Sequence, residues 1–297
     1  MSTTLLAVVI ALVLGHVASA QLVSLRRFHW YQSWLQWLGE QSGEGSFWRG
    51  RHGIVLALLP PLLLVALLQW SFASTLFGLV ALLFAIVVLV YAWGPRDLDV
   101  DVEAIIDAHN PVARSQALLH LWNGQAPLRT DGGALVEAVF ANALTRWFGT
   151  LFWFLLLGPV GALGYRLVAL VAQGRFANDV PADTRAGAAT LFAWLNWPVA
   201  QLMTLAMALV GNFDVVFNAW RAGGGSELHA NAAFLFGAAR ASVRGELAEE
   251  AEEYAEEGMV PVLRELPELR DAMSLVWRIL LVWLAVMALF VIGGWVS

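Results

Sequence analysis

From Ile54 to Trp93 the chain reads IVLALLPPLLLVALLQWSFASTLFGLVALLFAIVVLVYAW, forty residues without one charged side chain. A helix needs about 20 apolar residues to cross the hydrocarbon core. Twice that length exceeds any reasonable tilt of a single crossing. The short break Ser71-Phe72-Ala73-Ser74 therefore divides the stretch into two spans, Ile54–Trp70 and Thr75–Trp93, joined as a tight helical hairpin. Outward from this pair lie four more apolar segments: Thr3–Ser19, Trp147–Val171, Ala189–Val210 and Leu275–Val296. The expected fold is an all-α, polytopic integral membrane protein with about six transmembrane helices. Residues 1–297 form a single membrane domain in this reading, with helical cytoplasmic connections at 94–146 and 211–274.

Composition agrees with the spans. The 297 residues are 59% hydrophobic and 13% charged, with a mean hydropathy of +0.67, whereas a soluble domain carries about 25% charged residues. A net charge of −6 gives no electrostatic footprint for nucleic acid. All 17 basic residues are arginine, which removes Schiff-base chemistry and a P-loop lysine. The absence of cysteine removes thiol catalysis and thiolate metal sites.

Arginine bias orients the spans. The connections 21–53, 94–146 and 211–274 carry most of the arginines and belong on the cytoplasmic side of a bacterial inner membrane, multi-pass. The first segment ends in Ala18-Ser19-Ala20, like a signal-peptide cleavage site, but no basic residue precedes it. A retained helix is the expectation. Trp30, Trp34 and Trp37 recur at helical spacing beside Arg26 and Arg27, as in an interfacial helix with its arginines toward lipid phosphates.

The water-facing parts offer little chemistry. Asp99 and Glu103, four apart, are weak candidates for a divalent cation; otherwise acids at a helix start face water and complement its dipole. Beyond that cation, no cofactor is evident. Seven glutamates between Glu246 and Glu257 read as a solvated helix. Inside the spans, Pro159 is expected to kink the fourth helix, and Gly158, Gly161 and Gly164 to admit a close neighbour. Arg166 has two readings, snorkelling to headgroups or binding an anion within the bundle. Asn196 compensates the carbonyl freed by Pro198, and Gln201 follows five residues later.

Gly94-Pro95-Arg96-Asp97-Leu98 and Leu151–Arg166 (LFWFLLLGPVGALGYR) resemble the AmpE inner-membrane proteins. That resemblance implies a regulatory or sensor role in peptidoglycan recycling and β-lactamase induction, with an AmpD-like cytoplasmic amidase as partner. A second resemblance is to the CobD/CbiB proteins of cobalamin biosynthesis, which join an aminopropanol-type group to a corrinoid carboxyl. Val136–Asn142 (VEAVFAN) is similar to their V-E-x-V-A-E-N, keeping Glu137 and Asn142 but with Ala141 at the second acid. Leu157–Arg166 matches their G-x-x-x-x-A-x-Y-[KR] stretch, while Leu167–Ala172 replaces N-T-L-D-S-M and Gln201 stands where an arginine is expected. Cobinamide synthesis is therefore not expected. This resemblance implies instead a scaffold binding a small anionic ligand at the cytoplasmic face, with Glu137, Asn142, Arg146, Arg166, Asn196 and Gln201 as the ligand-binding candidates. A muropeptide transporter is the third reading. No nucleophile–base pair singles out a catalytic residue.

Overall fold

The computed structural model describes residues 2–17, 26–43, 45–72, 78–94, 97–122, 129–174, 176–256 and 265–293. In chain order its α-helices are α1 (Ser2–Val17), α2 (His29–Gln41), α3 (Ile54–Ser71), α4 (Gly78–Ala92), α5 (Leu98–Ile106), α6 (Pro111–Leu121), α7 (Gly132–Ala143), α8 (Gly149–Leu157), α9 (Pro159–Ala172), α10 (Ala182–Val210), α11 (Phe213–Ala222), α12 (Ala233–Glu256) and α13 (Pro267–Ile292). A π-helical segment, Leu144–Phe148, joins α7 to α8. No strand occurs among the described residues. The protein is an all-α polytopic membrane protein. Among the described residues four runs are long and apolar enough to cross a bilayer: Ile54–Ser71, Gly132–Leu157, Ala182–Val210 and Pro267–Leu289. The Ala18-Ser19-Ala20 site lies outside the described residues, as do Pro95, Arg96 and Glu257.

The chain divides into two compact units: Met1–Pro95, Thr145–Asn196 and Ala288–Ser297 form one, and Arg96–Leu144 with Trp197–Met287 the other. In the first unit α9 is central, packed against α3, α4 and α8, and α1 packs along α4. Most of α9 is buried, from Pro159 to Val171.

The expected fourth span, Trp147–Val171, is two helices. α8 stops at Leu157, and Gly158 takes φ +69° with ψ −152°, a backbone region open essentially to glycine alone. Pro159 then opens α9 at its first turn, where a missing N–H is no loss. The chain doubles back: Gly149 lies against the Tyr165 ring, and Gly161 against the Trp153 carbonyl. These pairs straddle Gly158 nearly symmetrically, as an antiparallel hairpin requires. Pro159 therefore starts a helix instead of kinking one. The run leading into this hairpin opens at Gly132, well before the expected Trp147.

A turn between two apolar helices leaves backbone groups that need partners. Gln69 of α3 meets that need, donating from Nε2 to the Leu157 carbonyl at 3.3 Å and accepting from the Val160 N–H at 3.3 Å. Gln69→Leu is expected to cost about 1–2 kcal/mol, because both backbone groups lose their partner. Thermal unfolding in detergent reads this directly.

Pro60 and Pro61 sit inside α3. Pro61 cannot bond the Ala57 carbonyl four residues back, and the Trp34 indole of α2 donates to that carbonyl at 3.2 Å instead. α2 buries Tyr31 and Leu35 and leaves Trp30 and Trp37 about half exposed. The helix and its exposed tryptophans fall where the spacing puts them, with one correction. Arg26 is buried and donates to the carbonyls of Val90 and Gly94, both at 2.9 Å. It caps the negative C-terminal end of α4 instead of reaching for phosphates. Burial also lifts the Tyr31 phenol above its usual range, and its hydroxyl has no hydrogen-bond partner among the described residues. The folded phenol stays neutral while the unfolded one ionises near pH 10, so this contribution to stability is full below pH 10 and lost above it. Tyr31→Phe should leave stability at pH 8 unchanged within about 1 kcal/mol and flatten its fall between pH 9 and 11.

In the second unit α11 packs on α12, α5 on α6, and α12 on α7. α7 and α12 are tied by Arg240 to Glu137 at 2.6 Å, and α12 and α13 by Arg278 to Glu246 at 2.6 Å.

Candidate functional site

In the first unit the chemistry collects on the π-helical segment and α9. A π-bulge adds a residue to a helical turn and re-aims the side chains around it; such bulges are frequent at functional sites. Here it carries Arg146, which is 4% exposed. The Arg146 stem packs on Gly94: a Cβ there would lie 2.7 Å from Arg146 Cβ. Arg26 bonds the same Gly94 carbonyl, so two buried guanidinium side chains flank one peptide at the end of α4. Arg166 on α9 is also 4% exposed. Its side chain is therefore packed among protein groups. Beside it Tyr165 donates to Asn196 Oδ1 at 2.6 Å, joining α9 to α10. Asn196 thus serves a neighbouring helix instead of patching its own at Pro198.

The other candidates lie in the second unit, each in separate surroundings. Glu137 is partly exposed and held by Arg240. Asn142 is buried and spends its Nδ2 on the carbonyls of Leu121 at 2.8 Å and Ala138 at 2.7 Å, fastening α7 to the end of α6. Gln201 donates to the Gly225 carbonyl at 2.7 Å and accepts from the Trp220 indole at 2.8 Å, clamping the turn after α11. Asp99 accepts from the Trp277 indole at 3.0 Å, and Glu103 faces solvent. No group of three or more His, Cys, Asp or Glu side chains able to hold a metal ion gathers among the described residues.

Two acids were expected to face water and do not. Asp97 is 9% exposed and Asp101 1%. They lie four residues apart, Asp97 at the N-cap position of α5 without a side-chain capping bond and Asp101 on its buried face with Leu98, Val102 and Ile105. The signal was in the sequence: Leu98, Val102 and Ile105 mark the apolar side at helical spacing, and Asp101 falls among them.

Two curated relatives match much of the chain. It is 30% identical over 279 residues to the cobalamin biosynthesis protein CobD of Stutzerimonas stutzeri, covering 86% of this chain and 87% of that protein. It is 29% identical over 180 residues to the CobD of Chromobacterium violaceum, covering 58% and 56%. No family model matches the chain, and no solved structure matches it. The fold and the buried polar helices define a polytopic membrane protein with charge held inside its helical core. It belongs to the CobD family of cobalamin biosynthesis proteins. The comparisons thus back the CobD/CbiB resemblance and give the AmpE-like regulatory reading no support.

Proposed function

We propose that the chain acts in cobalamin biosynthesis as a multi-pass inner-membrane protein that holds a small anionic ligand at its cytoplasmic face. The ligand class is a corrinoid carboxylate or a phosphorylated aminoalcohol, and Arg146 and Arg166 are its anchors. The observation that carries this is the burial of both arginines in a member of the CobD family, Arg146 on a π-helical segment. A guanidinium cannot deprotonate and presents a planar fork that matches carboxylate or phosphate oxygens. Glu137, Asn142 and Gln201 brace helices of the second unit in this reading.

The test is a titration of the purified protein in nanodiscs. The panel is a corrinoid with a free side-chain carboxyl, the same corrinoid amidated, an aminoalcohol phosphate and an anhydro-muropeptide. The expected result is saturable binding of the free-acid corrinoid or the aminoalcohol phosphate, with the amidated corrinoid weaker. Binding of the muropeptide alone would overturn the proposal in favour of a role in cell-wall recycling, and binding of none would refute it outright.

A further inference from the structure

An apolar groove of about 670 Å³ in the first unit opens between α2 and α3. One wall is Trp30, Trp34 and Trp37; the other is Pro60, Pro61 and Leu64. Its volume is in the range of small-molecule sites, yet its surroundings suit a different occupant. The α3 wall belongs to a candidate membrane span, so it faces acyl chains. The α2 wall is a tryptophan-rich helix outside the spans, the kind that lies at the headgroup boundary. Trp34 and Trp37 stack at 5.1 Å with planes 16° apart, giving a flat floor. The consecutive prolines opposite place compact rings on the facing turn. Trp37 and Leu64 are 49% and 63% exposed, leaving the groove open along its length.

Charge identifies the lipid. The segment from Arg26 to Gly53, which carries α2 and leads into α3, exposes Arg27, Arg49 and Arg51. Glu40 is the acid among its described residues, and Asp179 is held against α2 by Gln32 and Gln36, so three exposed arginines stand against two acids. Exposed arginines beside a span attract anionic headgroups of the cytoplasmic leaflet. We infer that this groove is a binding site for an anionic phospholipid, its acyl chain lying on Trp34 and Trp37 against Pro60 and Pro61, its headgroup phosphate at the arginines. The inference does not depend on the corrinoid reading, because α2 and α3 carry none of the proposed anion anchors.

The experiment uses the full chain, delipidated in detergent. Phosphatidylglycerol or phosphatidylcholine with identical dioleoyl chains is added, and Tm and bound lipid mass are followed. Phosphatidylglycerol is expected to raise Tm by about 5 °C at saturation, with retained lipid visible by native mass spectrometry. Phosphatidylcholine should require at least about tenfold more for the same rise. Leu64→Trp fills the groove and should abolish the phosphatidylglycerol increment; Ser33→Trp, on the opposite wall, repeats the test should the first variant fold poorly. Replacing Arg27, Arg49 and Arg51 together by Gln should remove the preference between the two lipids while keeping the chain-dependent part. Equal responses to both lipids in the wild type would overturn the inference, as would undiminished response in the filled variants. So would a dimer mass that the filled variants abolish, since a second copy would then be the occupant.

Discussion

Gly161→Ala should destabilise the protein by about 3 kcal/mol or more, although alanine is the better helix former by about 1 kcal/mol. The added methyl would overlap the Trp153 carbonyl oxygen and lie 2.8 Å from Leu157 Cβ. A backbone carbonyl cannot swing away as a side chain can, so α8 and α9 must separate. Gly164→Ala on the same helix is the control. There the new methyl meets the two Leu62 methyl groups at 3.3 and 3.4 Å, and a rotamer change relieves the contact. Its expected cost is under about 1 kcal/mol. Comparable Tm values for the two variants would show that the hairpin is not held by close backbone approach at Gly161.

Arg146→Ala should weaken binding of the anionic ligand at least thirtyfold. Truncating one partner of a buried charged pair costs about 2–5 kcal/mol, and about 2 kcal/mol corresponds to a factor of roughly thirty. Arg146→Lys keeps the buried charge but loses the fork geometry, so it should recover part of the affinity. Asn142→Ala separates site from scaffold. Asn142 donates its amide nitrogen to two backbone carbonyls, so its loss should lower Tm through about 1–3 kcal/mol of unpaired backbone and leave affinity within threefold. An Arg146→Ala variant that binds as tightly as the wild type would remove the arginine from the site.

What the sequence discloses here follows from which physical signals are local. The spans read from Ile54, Ala189 and Leu275 overlap the apolar helices that open at Ile54, Ala182 and Pro267, because apolar length is a property of one segment. The α8–α9 hairpin was not legible. Hydropathy averages across Leu157-Gly158-Pro159 without seeing a positive φ, and the turn depends on Gln69 from another helix. The Gly158, Gly161 and Gly164 spacing did foretell close approach, but not that the partner at Gly161 would be the preceding helix. Individual candidates were legible as polar residues in apolar runs, as with Arg166 and Asn196. Their roles were not, because burial depends on what packs around them. Arg26, beside an interfacial tryptophan helix, read as a lipid-phosphate anchor, and only the arrival of Gly94 at its side makes it a helix cap. Asp101 is the opposite case, its burial written in the apolar spacing around it and obscured by its neighbouring acids.

The Arg26 cap also sets an order of events during synthesis. Its acceptors on Val90 and Gly94 lie 64 and 68 residues downstream. At about 5–20 residues per second they emerge roughly 3–14 s after Arg26 does. Throughout that interval the guanidinium lacks the α4 carbonyls that hold it in the finished fold, and its charge is costly to move out of water. Completion of α4 then supplies the carbonyls that let the arginine leave water. A nascent chain stalled before Val90 should therefore leave Arg26 open to arginine-specific labelling from the aqueous side, and one released beyond Gly94 should protect it.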